Sequence, residues 1–270
     1  MSTLISILNR TFDLLFWPFQ NLPPIFAVVF FALAAGVLML AAFKYSSNQA
    51  AIRRAKDRLG AHLLEVRLFQ DQLGVVLRAY LRILRAAGAY LACAFPPLVV
   101  TLLPLLLLLA QVELRLGREA AAPHAPVLVK VKLPAGADVN SVELKLPAGV
   151  QSTAPPLRIP EEAEVDWRIE AGRPGEFALE FSRGGKAFSK QFVAGGPLPR
   201  VSPWRTASAL ELLLYPGEER LDSATAQWVE ITYPPREVRV LGWGMHWIVP
   251  FFVLTLAWGY ALKGLFGVEF

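Results

Sequence analysis

Cysteine is almost missing from this 270-residue chain. Cys93 stands alone, so no disulfide can close within the chain and no metal site can be built on several thiolates. That excludes a disulfide framework and leaves the compartment open. Histidine is nearly as scarce. His62, His124 and His246 lie far apart, no H-x-x-x-H or C-x-x-C spacing occurs, and structural roles are expected for all three. A Walker loop, a Rossmann glycine pattern and a G-x-S-x-G elbow are absent as well. The chain therefore reads as a non-enzymatic protein with no cofactor and no resident metal. Its acidic run, Glu161, Glu162, Glu164 and Asp166, reads as a solvated loop entering a strand in preference to a calcium site.

Charge is missing locally. Three windows hold no Asp, Glu, Lys or Arg: 24–43 (PIFAVVFFALAAGVLMLAAF), 89–112 (AYLACAFPPLVVTLLPLLLLLAQV) and 241–262 (LGWGMHWIVPFFVLTLAWGYAL). At ~1.5 Å per residue, twenty residues cover the ~30 Å of a bilayer's hydrocarbon. With 54% hydrophobic residues and a mean hydropathy of +0.42, the composition is that of a membrane protein. The first window is read as a retained span, because it exceeds the usual h-region and Lys44 follows it without a small-x-small cleavage site. The third carries His246 and Pro250, and its Trp243, Trp247, Trp258 and Tyr260 suit the membrane interfaces. Mid-depth ionisable groups are lacking, which argues against a transporter or ion path. Thr101, Gln111 and Thr255 are the polar groups of the spans, and Pro96, Pro97 and Pro104 are expected to distort the second.

Between the first two windows the balance reverses. Residues 44–88 hold nine bases and three acids, so the positive-inside rule puts them in the cytosol and the N-terminus outside. The segment from 113 to 240 then lies outside and the tail from 263 to 270 inside. Within 44–88, Ile52, Leu59, Val66, Leu73 and Tyr80 recur every seven residues. Ala55, His62, Phe69, Val76 and Ile83 each follow three later. Such a repeat indicates helices packed along a coiled-coil seam. A segment that leaves the membrane and returns is most simply an antiparallel helical hairpin with its tip near 70–74. Arg78, Arg82 and Arg85 share one face of the second arm, where guanidinium groups can meet anionic headgroups. Arg53, Arg54, Lys56, Arg58, Arg67, Arg78, Arg82 and Arg85 are thus candidates for docking a membrane surface or a substrate. The competing reading is a structural hairpin with solvated charges. The partners implied are anionic lipid and envelope or nascent membrane proteins, not nucleic acid. Residues 1–23 include LISILNRTFDLLFWPF (4–19), an amphipathic stretch expected to lie in the interface.

From about 126 the texture changes to short alternating runs: VLVKVKL (127–133), SVELKL (141–146), EVDWRIE (164–170), EFALEFS (176–182), KAFSKQFV (186–193), ALELLLY (209–215), QWVEITY (227–233) and REVRVL (236–241). Period-two alternation with turn signals every ten residues or so predicts an antiparallel, immunoglobulin-like β-sandwich outside the membrane. RGGK (183–186) reads as a tight hairpin turn. Trp167, Phe177, Phe181, Phe188 and Trp228 are the expected core aromatics. Edge strands offer places for an extended peptide to add on.

A span, a basic hairpin containing IRRAKDRLGAHLLEVRLF, a proline-bearing span containing FPPLVVTLLPLL, an outer segment and a last span together resemble the three-span branch of the YidC/Oxa/Alb insertase superfamily. That branch includes the third subunit of the endoplasmic-reticulum membrane complex and small archaeal relatives. The likeness covers about residues 20–112 and 241–270. It implies a protein that helps polypeptides enter the bilayer, with the hairpin receiving the substrate beside a lipid-open hydrophilic groove. Two departures stand out. The family commonly carries a positive residue in the first core span, where 24–43 has none, and the β-rich segment here falls between the second and third spans. A structural subunit of an envelope complex, binding a partner through the β-domain, is the alternative.

Overall fold

A computed structural model describes residues 2–46, 49–68 and 73–267, and the chain divides into two units. One comprises Met1–Val29 and Leu107–Pro250; the other comprises Phe30–Leu106 and Phe251–Phe270. Six α-helices are found among the described residues: α1 (Ser2–Phe16), α2 (Pro24–Ser46), α3 (Gln49–Leu68), α4 (Leu73–Leu116), α5 (Glu211–Leu214) and α6 (Ile248–Phe266).

The apolar windows become α2, most of α4, and α6, three helices long and apolar enough to cross a bilayer. Pro24 opens α2 at a position where a missing N–H costs nothing, and Lys44 closes it where a cation meets the negative end of the helix dipole. The arm and the span expected at 73–88 and 89–112 are one continuous helix, α4, of 44 residues. At about 1.5 Å per residue it extends about 66 Å, twice the hydrocarbon thickness.

Pro96, Pro97 and Pro104 all lie inside α4. Each lacks an N–H, so the carbonyls of Ala92, Cys93 and Val100 lose their helical donors. Thr101 Oγ1 donates to the carbonyls of Pro97 and Leu98, each at 2.9 Å, a back-bonding pattern that bends helices.

The third window is split. Its start forms a strand, Trp243–His246, and the helix begins only at Ile248. Leu241 and Gly242 take φ of 52° and 89°, the two-residue turn with both φ positive that closes a hairpin. The turn pairs Val240 with Trp243 and Glu237 with His246, and α6 keeps 19 residues.

Among the described residues the β-rich unit has eleven strands: β1 (Val127–Lys132), β2 (Val142–Lys145), β3 (Val150–Ser152), β4 (Leu157–Ile159), β5 (Glu164–Ala171), β6 (Gly175–Arg183), β7 (Lys186–Ala194), β8 (Trp204–Thr206), β9 (Trp228–Ile231), β10 (Glu237–Val240) and β11 (Trp243–His246). All their pairings are antiparallel. One sheet runs β3-β5-β1-β9-β8 with β4 also on β5, another runs β2-β6-β7, and β10 pairs β11. Inward residues of the two larger sheets share one core: Val129, Val165, Trp167 and Ile169 from the first, Phe177, Phe181 and Phe192 from the second. Trp167 meets Phe181 edge-on at 5.7 Å, a preferred aromatic geometry. Between β6 and β7, Gly184 and Gly185 have φ of 55° and 78°, which is why RGGK makes the turn.

Three sequence expectations are corrected. The run 209–215 holds no strand; Glu211–Leu214 is a helical turn, where Ser208 Oγ accepts from the N–H of Glu211 at 3.4 Å. Serine followed three residues later by glutamate is a helix-start signal that outweighs the β-like texture of the leucines. Trp228 is not in the core. Val229 and Ile231 point inward and are fully buried, so alternation turns Trp228 to the other face, where it lies 4.9 Å from the ring of Trp204. Trp247 is no lipid anchor: it is buried, and its indole N–H donates to the Glu113 carboxylate at 2.7 Å.

The outer edge of β7 is closed by side chains. Gln191 N–H donates to Glu218 Oε2 at 3.0 Å, Val193 N–H to the hydroxyl of Tyr233 at 3.0 Å, and the Ser189 carbonyl accepts from Arg205. Burial pushes the Tyr233 phenol up from its ordinary value, which keeps that hydroxyl neutral.

Candidate functional site

The sequence-predicted basic residues fall on two helices of one unit. Arg53, Arg54, Lys56 and Arg58 lie on α3 and are exposed; Arg78, Arg82 and Arg85 lie on α4 and are exposed. Arg67 is on α3, and its side chain lies outside the described residues, as do those of His62 and Cys93. The expected hairpin tip falls largely on 69–72, also outside them. Apolar side chains are interleaved with the cations: Leu64 and Leu68 on α3, and Tyr80, Leu81 and Leu84 on α4, are all exposed. A helix with basic groups and large apolar side chains both outward has the chemistry to lie against headgroups or an amphipathic segment. Of the predicted distorting prolines, Pro97 is buried, Pro104 half-buried and Pro96 exposed.

The same unit holds a cavity of about 430 Å³ that no single stretch of sequence announces. Gly36, Leu40 and Phe43 of α2, Leu98 and Thr101 of α4, and Gly259 of α6 are among its walls. Helices α2 and α6 meet at Gly36, where an added Cβ would come into ordinary contact, 3.4 Å from Trp258 Cβ and 3.5 Å from the Thr255 carbonyl. Small residues at such contacts are how apolar helices pack without a hydrophobic driving force between them. Thr255 Oγ1 donates to the Ala32 carbonyl at 3.4 Å. Beside the cavity, Lys263 Nζ stands 3.9 Å from the ring centroid of the lining residue Tyr260, a cation–π contact. The indole N–H of Trp258 is buried with no partner among the described residues.

In the other unit several buried polar groups have partners that sequence reasoning missed, although one carboxylate oxygen of Asp166 is buried with no partner among the described residues. Arg115, near the end of α4, is 1% exposed. Its guanidinium donates to the Gln111 carbonyl at 2.9 Å and to an Asp13 carboxylate oxygen, and stands 5.0 Å from the Phe16 ring centroid. Gln111 Nε2 donates to Asn9 Oδ1 at 2.8 Å, and Asn9 Nδ2 to the Pro216 carbonyl at 3.0 Å. Arg200 reaches the second oxygen of Asp13 at 3.1 Å. The predicted interfacial segment is thus tied to α4 by its polar face, while Ile7, Leu14 and Trp17 stay exposed. The signal that was available is the pair Gln111 and Arg115, four apart and therefore on one helical face.

In the β-rich part, Lys190 on β7 is fully buried, paired with Glu218, and donates to the Ser202 carbonyl at 2.6 Å. Burial holds its ammonium below the ordinary lysine range, against the pull of Glu218. On the outer face of β1, β5 and β9, Glu164 lies 3.8 Å from both Lys130 and Lys132. The acids beside it, Asp166 and Glu230, are raised by desolvation despite Lys130. The end of the acidic run is therefore engaged with lysines across the sheet. Among the described residues no cluster of His, Cys, Asp and Glu has the make-up of a metal site.

No family model and no curated protein sequence matches the chain.

Proposed function

We propose that this chain is a multi-pass protein of the cell's inner membrane that assists the insertion or assembly of other membrane proteins, in the manner of YidC/Oxa-type insertases. In this reading α2, α4 and α6 cross the bilayer, α3 and the first part of α4 form a cytosolic hairpin packed along the heptad seam, and the N-terminus and an immunoglobulin-like sandwich lie outside. The hairpin cations dock anionic headgroups or an incoming segment, and Pro96, Pro97 and Pro104 let the second span bend. The observation that carries this is the exposed interleaving of Arg78, Arg82 and Arg85 with Tyr80, Leu81 and Leu84 on a helix that continues into an apolar stretch. Large apolar groups clustered with cations on one exposed stretch suit an interaction surface.

Photo-crosslinkers placed at Leu81, Leu84 and Leu98 in cells test the reading. Many nascent membrane proteins as the chief adducts support it. A single stoichiometric partner sinks it in favour of a scaffold subunit of an envelope complex. That second reading draws on the hairpin tip between β10 and β11, where Leu241 is 98% and Trp243 76% exposed, a surface suited to a partner outside.

A further inference from the structure

The cavity between α2, α4 and α6 has a size, a lining and a charged end that together choose an occupant. At about 430 Å³ it lies within the range of small-ligand pockets, roughly 300–1,000 Å³. It is too small for a client helix: a cylinder about 10 Å across rising about 1.5 Å per residue fills this volume in about one turn. Its walls are apolar but for Thr101, Thr255 and the phenol of Tyr260, and Thr101 already spends its hydroxyl on backbone carbonyls. A flexible hydrocarbon chain asks for no more.

One end is cationic. Ala32 of α2 meets Thr255 of α6 and Gly36 meets Trp258, so the two helices pass the cavity in the same direction. Lys44 follows Phe43 in the last turn of α2, and Lys263 sits in the last turn of α6 over the lining Tyr260. No acidic residue lies in either last turn. We infer that this cavity is a binding site for one anionic glycerophospholipid, with an acyl chain between the three helices and the phosphate at Lys44 and Lys263. The site rests on the reading that these helices cross a bilayer with their basic ends in the cytosol, where anionic lipid is enriched.

The test uses the purified full chain in lipid nanodiscs with no client present. Phosphatidylglycerol carrying a diazirine in its acyl chain is compared with the matched phosphatidylcholine, and labelled peptides are mapped by mass spectrometry. Labelling is expected to concentrate on the α2, α4 and α6 peptides that line the cavity. At equal mole fraction phosphatidylglycerol is favoured about fivefold or more, since each lysine near an anionic headgroup contributes about that factor. Lys263→Gln lowers the preference about fivefold. Gly259→Leu grows into space where an added Cβ meets nothing within 4 Å and removes most labelling, with Leu256→Trp as an independent filling variant if the first does not fold. Even labelling over outward residues such as Phe252 and Val253, unchanged by both filling variants, overturns the site in favour of ordinary boundary lipid. Equal labelling by the two lipids overturns the anionic headgroup. Because no client enters the assay, retained lipid selectivity with failed client crosslinking rejects the insertase reading alone.

Discussion

Arg115 and Arg82 stand on the same helix and meet opposite fates. Arg115 is buried among Asn9, Gln111, Asp13 and Phe16, with both terminal guanidinium nitrogens donating to acceptors. Arg82 is exposed beside exposed Leu81 and Leu84. The unit holding α1 and the sheets buries Arg115 and Lys190 and pairs each with a carboxylate; on α4, Arg82 and its apolar neighbours stay on the surface together. Buried, satisfied polar groups fix one arrangement of a chain, because displacing any of them strands the others. Exposed mixtures of cations and large apolar groups offer a surface to headgroups or to another amphipathic segment. The same residue type therefore serves architecture in one unit and encounter in the other.

Substitutions that break this contrast should differ greatly in cost. The largest effect is expected at Lys190, where Lys190→Ala strands the nearly buried Glu218 and lowers unfolding free energy by about 4 kcal/mol, while Lys190→Met with Glu218→Leu restores most of it. Denaturant titration followed by tryptophan fluorescence measures both; a small loss in the single variant would show that water already reaches the pair. Next comes Arg115→Leu, at about 3 kcal/mol, read as earlier thermal unfolding and as protease access to α1. Gly36→Leu should cost about 2 kcal/mol by overpacking against Trp258, measured by unfolding in detergent, and should change the labelling of the apolar cavity.

Smaller effects sharpen the comparison. Asp166 and Glu230 are held above the ordinary carboxylate range by desolvation, so the folded state binds their protons more tightly than the unfolded chain does. Their contribution is fully present below the unfolded carboxylate value and is lost as pH rises through the raised one. Asp166→Asn with Glu230→Gln should therefore raise the Tm at neutral pH and leave it unchanged in acid. A gain that persists at low pH would refute that account. Least costly to the fold is Arg78→Gln with Arg82→Gln and Arg85→Gln, within about 0.5 kcal/mol in stability, yet it should weaken binding to anionic vesicles about fivefold per charge removed. Equal binding by the triple variant would reduce that arm to a solvated support.

What the sequence made legible follows from which signals are local. The uncharged windows mark α2, α4 and α6, and alternation marks β1, β2, β5, β6, β7, β9 and β10, because a strand of four or more residues displays its period. Three-residue strands show none: β3, β4 and β8 lie among prolines and serines and are recruited by their neighbours' free edges. The strand β11 was hidden inside an apolar window, where a glycine turn overrode the helical reading. The cations of α3 and α4 could be named in advance because charge is written residue by residue. The cavity could not, since it joins three segments separated by more than fifty residues each.

The closed margin of β7 has a consequence for life at a crowded surface. A bare strand margin invites another chain to stitch itself on, and proteins confined to a plane meet their copies often. With Glu218, Tyr233 and Arg205 occupying that margin, copies of this domain should brush past one another on that side without zipping into fibrils.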